Sequence, residues 1–203
     1  MTTRRIAVIA GGVGSPSSTR MLADRLAAAV GSQLRARGVP AQIEIVELRE
    51  HARALADAVV TGFPAGELRD AIRTVTAADA VVAVTPVFAA SYSGLFKTFI
   101  DVLDPDALVG KPVLLAATAG TARHSLVIEH AMRPLFSYLR ALTVPTGVFA
   151  APEDWAGGDA APLSARIERA AGELADLLTS RTPAPAADPF EDPTPFEELL
   201  ADR

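Results

Sequence analysis

The chain has 203 residues, 50% hydrophobic and 21% charged, enough for one domain with a substantial core and too apolar for a disordered protein. It contains no cysteine and only three histidines, at 51, 124 and 130, which excludes a disulfide framework, thiolate metal sites and a cysteine nucleophile and leaves no histidine spacing suited to a metal. The net charge of −5 is local: residues 183–203 carry six acids (Asp188, Glu191, Asp192, Glu197, Glu198, Asp202) and one base (Arg203), leaving 18 of each sign elsewhere.

Residues 4–10 (RRIAVIA) form a short apolar run closed by Gly11-Gly12, the pattern of a strand buried on both faces. After a Gly/Ser/Pro segment, residues 19–36 place Met21, Leu22, Leu26, Ala29, Val30 and Leu34 at helical spacing, ended by Gly38-Val39-Pro40. Residues 41–48 alternate as a second, partly exposed strand, and 51–78 read as helix interrupted at 62–66. Residues 79–85 (DAVVAVT) are a third strand that stops at Pro86, and 94–103 a helix with Leu95, Phe96, Phe99, Ile100 and Leu103 on its apolar side. A fourth strand spans 111–118, a long helix 124–142, a fifth strand 143–150 and a closing helix 163–180. Pro145 cannot donate to a ladder, so the fifth strand belongs at an edge.

Strands alternating with helices mean a parallel α/β sheet with right-handed crossovers. Five strands suit the flavodoxin-like order 2-1-3-4-5, which leaves the proline-bearing strand outermost and makes the loops after strands 1, 3 and 4 neighbours at the ligand-binding end. The neutral body offers no electrostatic footprint for nucleic acid or an anionic membrane. No apolar stretch approaches the ~20 residues of a membrane span, and the apolar run after Arg5 ends far short of a signal-peptide h-region. A cytoplasmic protein is expected.

The first of those loops, 11–20 (GGVGSPSSTR), runs into a helix start. Free N–H groups and the positive end of the helix dipole suit an anion there, and Ser15, Ser17, Ser18, Thr19 and Arg20 add donors. One serine would suffice as an N-cap, which is the alternative reading. The run Gly12-x-Gly14-x-x-Ser17 lacks the third glycine of a dinucleotide fingerprint, and no Walker A lysine is present. Clustered hydroxyls fit a terminal monophosphate better than a bridging pyrophosphate, and FMN is the cofactor that suggests itself. The second loop, 85–94 (TPVFAASYSG), offers the flat surfaces of Phe88 and Tyr92 beside peptide N–H groups, as a tricyclic ring requires; core packing is the alternative for both. Lys97 and Asp101 read as a surface helix pair, His124 and Arg123 as a solvated helix start, and Trp155 as a packing cap. The third loop, 117–121 (ATAGT), is small and hydroxylated, a weak signal alone.

With these loops on view, residues 4–180 resemble the NAD(P)H-dependent FMN reductases of the flavodoxin-like superfamily, above all those that supply reduced FMN to luciferase-like or alkanesulfonate-type monooxygenases. GSPSSTR (14–20), TPVFAASYSGLFKTFID (85–101) and ATAGTARHSLVIEHAMRPLF (117–136) carry the likeness. The resemblance implies that Ser15, Ser17, Ser18, Thr19 and Arg20 bind the FMN phosphate. It places Pro86, Val87 and Phe88 along the isoalloxazine with Ser91, Tyr92 and Ser93 nearby, and Thr118, Gly120 and Thr121 near the pyrimidine end. Phe88 stands where the family more often has tyrosine.

Pro134 lies inside the helix expected over 124–142, where it lacks the N–H that would reach the carbonyl of His130. A kink or π-bulge around His130 is the expected relief. Related two-component reductases carry an inserted tyrosine or histidine in a π-helix at a subunit interface beside the flavin, and the resemblance gives that place to His130. It further implies a homodimer or homotetramer, FMN and NAD(P)H as the redox pair, and a monooxygenase partner. Hydride transfer needs no general acid or base, so no catalytic residue is assigned. A quinone, azo or metal-ion reductase with bound FMN, and a flavodoxin-type electron carrier, remain alternatives. The domain is expected over 1–181, followed by an acidic, proline-rich tail over 182–203 whose Phe190, Phe196, Leu199 and Leu200 suggest docking to a neighbour.

Overall fold

In the computed structural model, the described residues are 2–156 and 161–180, so the tail expected over 182–203 lies outside them. The apolar runs form strands β1 (Arg4–Ala10), β2 (Ala41–Glu47), β3 (Ala80–Phe88), β4 (Ser91–Tyr92), β5 (Pro112–Thr118), β6 (Leu142–Thr143) and β7 (Val148–Ala150). The helices are α1 (Ser18–Ala36), α2 (Ala52–Thr61), α3 (Gly66–Thr76), α4 (Gly94–Asp101), α5 (Arg133–Tyr138), α6 (Glu153–Ala156) and α7 (Ala161–Thr179). The sheet runs β2-β1-β3-β5-β6 with these neighbours parallel; β7 also pairs with β5, and β4 pairs antiparallel with β3.

Alternation along the central strands divides the core in two. Ala7, Ile9, Val81, Ala83, Val113, Leu115 and Ala117 face a cluster completed by α2, α3, α4 and α5. Ile6, Val8, Val82, Val84, Leu114 and Ala116 face α1 and α7 on the other side. Helices on both faces explain why these strands read as unbroken apolar runs rather than alternating ones.

Four sequence expectations need correction. The sheet has seven strands, not five, although the core order is the one expected. One of the two extra strands is β4, and the other arises because the fifth strand, expected over 143–150, is split around Pro145 into β6 and β7, both on β5. Pro86 does not stop the third strand: β3 continues to Phe88, with Pro86 opposite Thr118. Because β1 ends level with Val84, Pro86 stands at a local edge where a missing N–H is tolerated. Finally, the single helix expected over 124–142 is three pieces: a 3₁₀ turn (Ala122–His124), a π-helical turn (Ile128–Met132) and α5.

Candidate active site

The loops after β1, β3 and β5 meet at the carboxyl end of the sheet and are tied by their own hydroxyls. Thr19 and Thr118, each 2% exposed, share a hydrogen bond of 2.8 Å between their Oγ1 atoms, joining the first loop to the third. Ser93 joins the second to the first. Its N–H donates to Thr85 Oγ1 at 3.0 Å, its Oγ donates to the Gly11 carbonyl at 3.4 Å, and the same oxygen accepts the Phe96 N–H at 3.2 Å as the N-cap of α4. Thr85 in turn donates to the Pro86 carbonyl at 3.0 Å. Ala119 N–H donates to the Ala150 carbonyl at 3.1 Å, fixing the third loop to β7.

These bonds divide the sequence-predicted residues. Thr19, Ser93 and Thr118 are buried and hold the loops together, whereas Ser15 and Ser18 are exposed and Ser17 half-buried. Ser17 is the N-cap of α1: its Oγ accepts the Arg20 N–H at 3.2 Å, an arrangement compatible with donation of its O–H elsewhere. The turn around it is tight, since a Cβ at Gly12 would lie 2.3 Å from Ser17 Oγ. Hydroxyls, first-turn N–H groups of α1 and the Arg20 guanidinium form a donor set that fits a phosphate monoester. Arg20 is not alone, however: it pairs with Asp24 and Glu47, and the hydrogen bond to Asp24, with both carboxylate charges, raises its pKa further above the ordinary arginine value.

In the second loop, Val87 pairs with Tyr92 and Phe88 with Ser91 around a two-residue turn. Ala89 (φ 47°) and Ala90 (φ 66°) are both left-handed there, as a type I′ hairpin turn requires. Phe88 is 49% exposed and presents its ring to solvent, while Tyr92 packs against Phe96, with centroids 6.2 Å apart. Gly120 lies in open space at the third loop, and Thr121 accepts the Arg123 N–H at 3.4 Å.

The π-helical turn follows from Pro134 and its neighbours. Arg133 N–H bonds to the Ile128 carbonyl, five residues back, and Pro134 then falls in the first turn of α5, where an N–H is dispensable. His130 is on this turn and exposed, and β4 packs beside it. Arg133 also pairs with Glu129, which holds that carboxyl below its ordinary pKa, and donates to the Val144 and Pro145 carbonyls at 3.1 and 3.0 Å. The turn thereby straps the gap between β6 and β7. Gly147 belongs to the same joint: a Cβ there would sit 2.6 Å from Ile128 Cγ2. Trp155 packs on the second core, with the Arg25 guanidinium 4.7 Å over its ring.

Sequence reasoning missed Thr85, Glu47 and Arg49. Arg49 donates to Glu47 Oε2 at 2.8 Å and to the Gly14 carbonyl at 3.4 Å. The position of Glu47 at the end of β2, next to β1, was a usable signal. Two grooves, about 710 Å³ beside Leu142 and Glu173 and about 320 Å³ beside Gln42 and Arg73, lie at the amino end of the sheet, away from these loops. Among the described residues no His/Cys/Asp/Glu group is placed to hold a metal, and no helix is long and apolar enough to cross a membrane.

A parallel sheet in this order, covered on both faces and carrying a hydroxyl-rich loop between its first strand and first helix, defines a flavodoxin-like α/β protein. A flavodoxin, WrbA-like protein from Agrobacterium tumefaciens shares that fold at 16% identity and a TM-score of 0.58, over 88% of this chain and 99% of its own. The family description "NADPH-dependent FMN reductase" matches residues 4–156, and the chain belongs to that family. A solved oxidoreductase from Corynebacterium diphtheriae is 49% identical, with a TM-score of 0.85 over 90% of this chain and 99% of that one. The NADH-dependent FMN reductase SfnE of Pseudomonas putida is 40% identical over 179 residues, 87% of this chain and 94% of the relative. FMN and NAD(P)H are the redox pair of the family, and the chain is an oxidoreductase acting on FMN.

Proposed function

We propose that the three loops are the flavin site of an NAD(P)H:FMN reductase that releases reduced FMN to a separate monooxygenase. Ser15, Ser17, Ser18, Arg20 and the first-turn N–H groups of α1 hold the phosphate. Pro86, Val87 and Phe88 line the ring, with Ser91 and Tyr92 behind them, and Gly120 and Thr121 stand at its polar end. Thr19, Ser93 and Thr118 act by holding the loops in register. Bound FMN supplies the hydride acceptor, so the chain contributes position and exclusion of water, and no side chain is assigned a proton transfer. The observation that carries this reading is the Ser17 geometry, a capping oxygen whose proton remains available at a helix start.

The same proposal gives the π-helical turn to a subunit interface in a dimer or tetramer. Exposed His130, Leu126 (61%) and Tyr138 (83%), all within residues 126–138, support it, and the turn that carries His130 packs beside β4. A cytoplasmic location goes with this role, as does a domain that ends near 181.

Steady-state NADPH or NADH oxidation with FMN in large excess over enzyme is the test. Turnover that saturates with added FMN, and coupling of the product to a flavin-dependent monooxygenase, are expected. Turnover that ignores added FMN and requires a quinone would replace this reading with that of a quinone reductase.

A further inference from the structure

Glu47 closes β2 opposite Ala10, so the strand register delivers its side chain to the root of the phosphate loop. The side chain is 16% exposed and divides its two oxygens between two arginines. Oε1 accepts from Arg20 Nη1 and Oε2 from Arg49 Nε. Arg49 Nη1 also reaches the Gly14 carbonyl inside the loop, and Arg20 Nε donates to Asp24 Oδ1 at 2.9 Å. Two guanidinium groups and two carboxylates thus sum to zero at a place whose hydroxyls and N–H groups suit a dianion.

We propose, resting on the flavin site argued above, that Glu47 competes with the FMN phosphate for Arg20 and Arg49. On this view Glu47 holds flavin affinity low enough for the product to leave, and Arg49 is a second cation of the phosphate subsite. A carboxylate between two arginines could instead serve to orient them, and the two roles predict opposite signs when its charge is removed. Competition prevails on the geometry, because each arginine has another anchor. Without the Glu47 charge, Arg20 keeps Asp24 and Arg49 keeps the Gly14 carbonyl, whereas the repulsion of a shielded carboxylate on a phosphate dianion bound by the same arginines disappears.

The test is equilibrium titration of the full chain with FMN and with riboflavin, followed by quenching of flavin fluorescence at low ionic strength. Glu47→Gln should tighten FMN binding about tenfold, with riboflavin unchanged, and the gain should shrink in high salt. Arg49→Gln should weaken FMN binding several-fold and also spare riboflavin, a result that stands even if Glu47→Gln fails to fold. Weaker or equal FMN binding by Glu47→Gln, or no loss in Arg49→Gln, overturns the proposal. Arg20→Gln separates this failure from that of the underlying reading: if it leaves the preference for FMN over riboflavin intact, the phosphate does not bind here at all.

Discussion

Changing Thr19 to valine removes one hydroxyl from a buried pair and leaves nearly the same shape. The partner, Thr118 Oγ1, is then stranded in a site where both residues are 2% exposed and the 2.8 Å bond between them joins two loops. An orphaned buried polar group costs about 1–3 kcal/mol, far more than the net gain from the bond itself. Thr118→Val should cost a similar amount by stranding Thr19. The double variant removes donor and acceptor together, so its loss should fall short of the two single losses added by at least about 1 kcal/mol. Urea unfolding measures this directly as a shift in midpoint at constant m-value, and each kcal/mol corresponds to roughly 2–4 °C in Tm at this size. Strictly additive losses would refute the claim that these two hydroxyls satisfy each other and lock the loops.

Gly12→Ala would drive a Cβ to 2.3 Å from Ser17 Oγ and displace the cap, so KM for FMN should rise at least several-fold with a smaller fall in kcat, read from steady-state kinetics. Gly147→Ala would place a Cβ 2.6 Å from Ile128 Cγ2 at the π-helical turn and should destabilise the fold by about 1–3 kcal/mol in urea unfolding, the usual cost of overpacking. Burial pushes the Lys111 amine, which caps the end of α3 through the Thr76 and Ala78 carbonyls, down from 10.5 to about 8. Between those values the unfolded chain holds a proton that the folded chain has released, so this site's contribution to stability rises as pH goes from about 8 to 10.5. Urea midpoints across that range should show the rise, and Lys111→Met should abolish it.

The parallel sheet and its order were legible because β1, β3 and β5 are short apolar runs punctuated by glycine or proline, with no competing helical period. The hairpin at 87–92 was hidden for a definite reason. Type I′ turns usually announce themselves with Asn-Gly, and here two alanines occupy the left-handed positions. Pro145 marked an edge in the sequence, but the break between β6 and β7 depends on Arg133 collecting the Val144 and Pro145 carbonyls from another element. Pro134 did announce an irregular helix, because a missing N–H is a local property that needs no tertiary information. At the candidate site the hydroxyl-rich loops could be read as ligand-binding, whereas the division of labour within them could not. Thr19, Thr118 and Ser93 look like any other loop hydroxyls until the fold brings Thr118, 99 positions from Thr19, within bonding distance. Of the carboxylates around Arg20, Asp24 is a local partner four residues on, whereas Glu47 reaches it across 27 positions and was signalled only by its place at the end of β2.

Amide hydrogen–deuterium exchange with and without saturating FMN tests the location of the flavin site most directly. Protection concentrated in residues 12–20, 85–93 and 118–121 is the predicted result. Protection confined to the grooves at the opposite end of the sheet, around Leu142 and Glu173 or Gln42 and Arg73, with those three loops unchanged, would contradict it.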